Sequence, residues 1–294
     1  MTKVWFITGS SRGLGRSLTE AVLATGDKVA ATARNTDSLK ELQDKYPAQV
    51  YPVKLDVTDY PAVHKAIADV VGHFGKIDVL VNNAGFGITG AVEAYTDEQV
   101  RSQLETNLYA PIETTRAVLP YMRKQRSGHI LQISSIGGRV GSGGVSIYQA
   151  AKFGLSGFSE GLAVEVAPLG IKITSVEPGG FRTDWAGDSM TYAPHLPGYE
   201  TTVDARIAAF KSSSFKPIGD PEKAAKVMID IVNNPEPPMH LLLGTEAVAI
   251  VKHSEAAKLK ELEQWETIST STDADDAENF FETEHGKRYL TLKK

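Results

Sequence analysis

Tyr148, Lys152 and Ser135 are the residues of this 294-residue chain whose types and spacing bear most directly on chemistry. Tyr148 opens the run Tyr148-Gln149-Ala150-Ala151-Lys152, and Ser135 closes Ile133-Ser134-Ser135 a short way upstream. In a helix over 147–167, Tyr148 and Lys152 form an i,i+4 pair on one face. An ammonium beside a phenol favours the phenolate and lowers the tyrosine pKa from its ordinary value of about 10. Such a phenol exchanges a proton with an alcohol or ketone near neutral pH. Taken alone, Tyr-x-x-x-Lys is as well explained by two surface residues sharing a helix face. Its meaning rests on the elements around it.

Those elements begin at the N-terminus. Val4-Trp5-Phe6-Ile7 is a short apolar run of the kind that forms a buried strand. It leads into Thr8-Gly9-Ser10-Ser11-Arg12-Gly13-Leu14-Gly15 and then into a helical pattern over 14–25. Strand, glycine-rich turn and helix bring a pyrophosphate onto free backbone N–H groups at a helix N-terminus. The glycines are spaced Gly-x-x-x-Gly-x-Gly, which is not the usual dinucleotide fingerprint, and any tight loop uses glycine for positive φ. Further strands are expected near 28–33, 50–54, 77–82, 129–134, 171–176 and 239–243. Helices are expected near 37–45, 60–74, 97–123, 147–167 and 221–233. The alternation predicts an α/β fold, a doubly wound and mostly parallel Rossmann-like sheet with helices on both faces.

On these residues the chain resembles the short-chain dehydrogenase/reductase family, in its group with TGxxxGxG and YxxxK. Thr8 to Gly15 fits the family's cofactor loop and Asn82-Asn83-Ala84-Gly85 its NNAG segment. Asn107 fits the helix asparagine, Ser135 the serine, Tyr148 with Lys152 the catalytic pair, and Pro178-Gly179 with Thr183 the PG-x-x-x-T run. Six motifs in order cover roughly residues 4 to 183, and beyond Thr183 the resemblance says little.

The resemblance implies hydride transfer between a nicotinamide and a ketone, aldehyde or secondary alcohol. Tyr148 would give the carbonyl oxygen its proton, and Ser135 would hydrogen-bond the same oxygen. Lys152 would lower the Tyr148 pKa and bind the nicotinamide ribose. Asn107 would hold a backbone kink and a water, although a helix-interior asparagine bonding locally is the plainer expectation for it. Ser134 and Ser135 point to opposite sides of a strand, so only one of them faces the nicotinamide. The cofactor-binding residues implied are Gly9, Ser11, Arg12, Gly13, Leu14, Gly15, Arg34, Asp56, Val57, Asn83, Ala84, Gly85, Tyr148, Lys152, Pro178, Gly179, Phe181 and Thr183.

Charge points to NADP(H) rather than NAD(H). NAD sites carry an Asp or Glu about 20 residues past the glycine loop, for the ribose 2′-hydroxyl. Here the second strand ends in Arg34-Asn35, and Arg12 lies within the loop itself. Two guanidinium groups suit a 2′-phosphate. In the alternative, Arg34 faces solvent and Asp37 takes the ribose.

A substrate lid is expected over about 184–219, a stretch holding Trp185, Met190, Tyr192, Leu196, Tyr199, Phe210 and Phe215. These aromatics would serve equally as the small core of a helical cap. Phe86, Gly87, Gly141, Val145, Trp185 and Met190 are the candidate pocket walls for a moderately apolar carbonyl. Arg182 and Arg139 are the candidate anchors for an anionic group. Residues 1–245 read as one catalytic domain. Residues 246–294 read as a helical extension packed on it, with a helix over 246–267, a polar stretch over 269–278, and Phe280-Phe281 docking on the body or a partner. The family resemblance implies a homodimer or homotetramer through the helices that carry Asn107 and Tyr148.

Composition excludes other classes. The net charge is −5, and the densest basic cluster, Arg123, Lys124 and Arg126, suits a helix C-terminus better than nucleic acid. There is no cysteine and hence no disulfide or thiolate site, and the seven histidines show no ligand spacing, so no metal is expected. No apolar run approaches the roughly 18 residues of a membrane span. The first strand follows the N-terminus at once, so no leader is expected and the cytoplasm is the expected location. Two other outcomes share these motifs: an epimerase or dehydratase that retains its cofactor, and a non-catalytic NADP(H)-binding sensor.

Overall fold

Val4, Trp5, Phe6 and Ile7 are wholly buried, and their side chains alternate between two cores. Val4 and Phe6 enter one, Trp5 and Ile7 the other. A strand with both faces apolar belongs inside a sheet covered on both sides. The computed structural model, which describes residues 2–187, 189–212 and 216–291, has that architecture.

In chain order the strands are β1 (Val4–Ile7), β2 (Lys28–Ala33), β3 (Val50–Lys54), β4 (Val79–Asn82), β5 (Gly87–Thr89), β6 (Gly128–Ile133), β7 (Ile171–Pro178), β8 (Met190–Tyr192) and β9 (His240–Leu243). The helices are α1 (Gly13–Ala24), α2 (Lys40–Lys45), α3 (Tyr60–Phe74), α4 (Asp97–Leu104), α5 (Ala110–Gln125), α6 (Ser146–Val166), α7 (Ala205–Lys211), α8 (Pro221–Asn233), α9 (Thr245–Thr270) and α10 (Glu284–Thr291). Seven strands form one parallel sheet in the order β3-β2-β1-β4-β6-β7-β9. The order reverses between β1 and β4, the switch point where ligands bind beyond the strand ends in such sheets. Pro52 is tolerated because β3 is an edge strand.

One core packs α3, α5 and α6 on the sheet through residues such as Ile67, Val118, Met122 and Leu162. The other packs α1 and α8 through Leu18, Val22, Ala225 and Met228. Each large side chain so buried stabilises the fold by about 1.5–3 kcal/mol relative to exposure. Helix starts follow local chemistry. Asp59 accepts from the Ala62 N–H with Pro61 in the first turn of α3, and Asp220 accepts from the Glu222 and Lys223 N–H groups with Pro221 opening α8.

The expected strands and helices fall within a few residues of their boundaries, with one interruption and several additions. The helix expected over 97–123 is broken by a π turn at Glu105–Tyr109. Pro111 has no N–H to return to the Asn107 carbonyl, so the regular ladder fails there. The additions are the helices α7 and α10 and a second, two-stranded parallel sheet of β5 and β8, with Gly87 opposite Met190 and Thr89 opposite Tyr192.

The chain divides into two compact units, Met1–Val248 and Ala249–Lys294, the division falling inside α9. Within the second unit, the Phe280 ring meets Phe281, His285 and Tyr289 at centroid distances of 5.2, 5.8 and 6.4 Å. Leu259, Leu262, Trp265 and Ile268 are exposed along α9.

Asn82 ties the sheet to α5. Its buried Nδ2 donates to the Pro111 carbonyl at 3.1 Å, to Thr115 Oγ1 at 3.0 Å and to Gln132 Oε1 at 2.9 Å. Asn82→Val should leave these acceptors without that donor and cost roughly 2–4 kcal/mol, read as a lower urea midpoint of the ligand-free protein. An unchanged midpoint would show that the network is dispensable.

Candidate active site

The turn after β1 is shaped to leave backbone N–H groups free. Gly9 and Gly13 have φ of +69° and +58°, which side chains rarely adopt. A Cβ on Gly15 would fall on the Gly9 carbonyl and the Asn83 amide. The N-cap of α1 is Arg12, whose side chain makes no cap hydrogen bond, and the first turn holds no acidic residue. The N-terminus of α1 therefore offers unmet N–H groups and the positive end of its dipole to an anion.

Thr8 and Asn83 fix this loop against the end of β4. The Thr8 hydroxyl accepts from the Asn83 and Ala84 N–H groups at 2.9 and 3.0 Å and donates to the Val81 carbonyl at 3.2 Å. Asn83 Nδ2 donates to the Thr8 and Gly9 carbonyls at 2.9 and 3.1 Å. Thr183 approaches from the other side, with its Cβ 3.6 Å from where a Gly13 Cβ would stand. Ser11 and Leu14 are half-buried in the same loop. Pro178 ends β7, and the Gly179 N–H donates to the Leu243 carbonyl at 3.0 Å. Glu246 Oε1 accepts from the Gly180 N–H, closing this segment. Phe181 pairs with Gly219 in an isolated bridge and packs against the core that includes α1 and α8.

Arg12 and Arg34 are both exposed; the Arg12 carbonyl accepts from the Arg16 N–H at 3.2 Å, while its side chain makes no cap hydrogen bond. Asp56, also exposed, accepts from the Thr58 N–H at 2.9 Å and the Thr58 hydroxyl at 2.7 Å. The Thr58 N–H, chiefly, and the nearby Arg34 charge hold its carboxyl below the usual range. Val57 is buried beside it. Asp37, the alternative ribose acceptor, is exposed in the turn capped by Asn35.

The expected catalytic residues converge. Tyr148 and Lys152 lie on one face of α6 and are only 7% and 6% exposed. Lys152 Nζ donates to the Ile133 carbonyl at 2.7 Å and stands 5.7 Å from the centre of the Tyr148 ring. Ser135 caps the short turn Ile136–Gly138, accepting from the Gly137 N–H at 3.0 Å, and its Oγ and the Tyr148 ring stand 3.3 and 3.4 Å from where a Gly137 Cβ would lie. Ser134 points the other way, to Ser156 Oγ at 3.1 Å and the Lys152 carbonyl at 3.3 Å, so it is not the serine at the tyrosine. Asn107, wholly buried in the π turn, pairs with the Phe86 backbone: Oδ1 accepts from its N–H at 3.2 Å and Nδ2 donates to its carbonyl at 2.8 Å. Gly85, exposed, leaves room for that Asn107 amide.

The electrostatics correct one expectation. Tyr148 was expected to be depressed by Lys152. Instead burial pushes the phenol up to about 12, with the Ser135 hydrogen bond acting in the lowering direction. Burial also pushes the Lys152 ammonium down to about 8. Both groups have lost water, and desolvation disfavours the charged form of each. At neutral pH the pair is a phenol beside an ammonium, with the phenol poised as an acid.

The lid residues sort unequally. Trp185 lies edge-on to Tyr148 at 5.5 Å and to Phe210 at 6.3 Å. Met190 is buried, with its Sδ 3.1 Å from Thr89 Oγ1, and Gly87 sits against both Met190 and Trp185. Val145 is buried at the N-cap of α6, and Phe86 packs with Ile88, Tyr95 and Ala193. Gly141 stands exposed with open space around it. Tyr199 bonds Glu93 at 2.6 Å, away from these aromatics, and Phe215 lies outside the described residues. Arg182 and Arg139 are not idle anchors: Arg182 Nε donates to the Pro217 carbonyl and Arg139 Nη1 to Glu177.

Three features escaped the sequence. Arg206 of α7 crosses to Ser142 Oγ at 3.1 Å and the Gly143 carbonyl at 3.2 Å, in the segment before Tyr148. The β5–β8 sheet seats the lid on the body. Glu177 is fully buried in β7, and its one signal was a carboxylate within a strand buried along nearly its whole length. Among the described residues no cluster of His, Asp or Glu is fit to hold a metal, and no helix is long and apolar enough to cross a membrane.

Comparison with known proteins places this geometry. The short chain dehydrogenase family matches over residues 3–192. The oxidoreductase BOA17 of Botryotinia fuckeliana is 45% identical over 273 residues, which cover 92% of this chain and 100% of that one. A short-chain dehydrogenase structure from Streptomyces avermitilis superposes with a TM-score of 0.89 at 40% identity, covering 93% of this chain and 100% of its own. The structure of ElxO with NADP bound superposes with a TM-score of 0.71 at 26% identity, covering 85% and 100%.

Proposed function

Since the chain belongs to the short-chain dehydrogenase family and is an oxidoreductase of that family, we propose that it is an NADP(H)-dependent reductase of moderately apolar ketones or aldehydes, or the dehydrogenase of the corresponding secondary alcohols. The observation that carries this proposal is the buried Tyr148, beside Ser135 and flanked by Lys152 and Trp185.

The free N–H groups of the Gly9–Gly15 turn would hold the pyrophosphate, Arg12 and Arg34 the 2′-phosphate, and Asp56 with Val57 the adenine. Asn83, Ala84, Gly85, Pro178, Gly179, Phe181 and Thr183 would line the nicotinamide half. The bound nicotinamide supplies or takes the hydride. Tyr148 holds a proton on its hydroxyl and yields it to the substrate oxygen, while Ser135 donates to that oxygen and steadies its developing charge. Lys152 binds the ribose and, as a cation, favours the tyrosinate left behind. Asn107 holds Phe86 and turns its own carbonyl out of the helical ladder, leaving it to accept from a water that renews the proton. The wall of Trp185, Met190, Phe86 and Val145 favours an apolar substrate flank. We assign the expected homodimer or homotetramer to the α5 and α6 faces, where Tyr109 and Val164 are exposed.

NADPH and NADH consumption measured with aryl ketones, quinones and aliphatic aldehydes tests the proposal. Turnover is expected with NADPH, and Tyr148→Phe should lower kcat about 10²- to 10⁴-fold; undiminished turnover in the variant would sink the role of Tyr148. The Lys152 pKa of about 8 sets a pH dependence. Its ammonium is present below that value and lost above it, so kcat/KM for reduction should fall as pH rises through about 8. A flat profile from pH 6 to 10 would contradict this. Arg34→Asp should reduce kcat/KM for NADPH about 10- to 100-fold while sparing NADH. An unchanged preference would assign the 2′-phosphate elsewhere.

A further inference from the structure

Glu177 is 0% exposed, in a strand whose remaining inward positions are apolar or small. Its Oε2 accepts from Arg139 Nη1 at 3.2 Å. Its Oε1 lies 2.6 Å from His240 Nδ1 and accepts from Ser175 Oγ at 3.1 Å. His240 Nε2 in turn stands 3.3 Å from Glu160 Oε1 on α6. The Glu177 hydrogen bond, foremost, holds the His240 imidazole above its usual pKa.

A buried ion pair of this kind contributes little net stability, because desolvation offsets most of the attraction. Apolar residues of similar volume would fill the space as well. What the charges add is direction. Arg139 closes the Ile136–Gly138 turn that Ser135 caps: its N–H donates to the Ile136 carbonyl and the Gly138 N–H to the Ser135 carbonyl, both at 2.9 Å. The next residue, Val140, accepts from Gln149 Nε2 at 2.9 Å, beside Tyr148. Glu177 itself immediately precedes Pro178-Gly179. One carboxylate thus joins the serine turn, the segment assigned to the nicotinamide, and the edge strand β9.

We propose that Glu177 is a positioning residue for the reaction: through Arg139 it fixes the turn that aims the Ser135 hydroxyl at Tyr148. This rests on the role proposed for Ser135. Removing the Glu177 charge weakens its hold on the Arg139 guanidinium, lets the turn shift, and leaves the serine hydroxyl off the line of the developing oxyanion. Substrate and cofactor surfaces stay in place, so the loss falls on kcat rather than on KM.

The test is a double-mutant cycle on the whole protein, with steady-state NADPH-dependent reduction as the readout. Glu177→Gln keeps the size of the side chain and should lower kcat about ten-fold, as small misplacements do, with KM for the carbonyl moved less than about two-fold. In a Ser135→Ala background the same change should cost little further, because the group being aimed is gone. Should Glu177→Gln fail to fold, Arg139→Met at the half-exposed end of the pair runs the same cycle. An unchanged kcat, or a ten-fold loss that persists in full without Ser135, overturns the proposal. If instead Ser135→Ala and Tyr148→Phe both keep full activity, the fault lies in the assignment of the site.

Discussion

The hydroxyl of Thr8 and the amide of Asn83 hold together the two strands between which the sheet reverses, and the site depends on that closure. The Thr8 hydroxyl takes two N–H groups and gives its proton to a carbonyl of β4, while Asn83 reaches back to two carbonyls of the glycine turn. Parallel strands at a switch point diverge beyond their ends, and these bonds satisfy the backbone groups exposed there. They also set the distance from the turn to Phe86, which Asn107 grips. Phosphate cradle and π turn are thereby held to one frame.

Burial does the electrostatic work in this frame. Tyr148 and Lys152 are driven toward their neutral forms by loss of water. A phenol and an amine in solution have similar pKa values near 10. Here desolvation sends them apart in opposite directions, so the proton resides on the phenol until substrate oxygen needs it. Lys152 spends part of its donor capacity on the Ile133 carbonyl, which fixes the ammonium without neutralising it.

The sheet was legible in the sequence because its strands are short apolar runs, and the helices because amphipathic segments alternate with those runs. Ser135, Tyr148 and Lys152 were legible as types at a spacing. The kink at Asn107 was implied by the resemblance, but its form as a π turn was not legible, although Pro111 marked it; a missing N–H shows how a helix bends only when the carbonyl it abandons is known. The charge state of Tyr148 was misjudged because spacing reveals a neighbouring ammonium but not the depth of burial. Arg206 and Glu177 were missed because their partners, Ser142, Gly143, Arg139 and His240, come from segments distant in the chain.

The seam between β5 and β8 rests on absent side chains. Gly87 admits Met190 and Trp185, and Gly90 admits Ala193, at separations no Cβ would allow. Any residue other than glycine at either position adds a side chain to this contact. Such a side chain crowds the seam unless its neighbour gives way. Compensation has to come from the opposite bank, where Met190 has a long side chain to shorten and Ala193 a single methyl to give up. Room is thus readily made opposite Gly87, at position 190, and hardly at all opposite Gly90, at position 193.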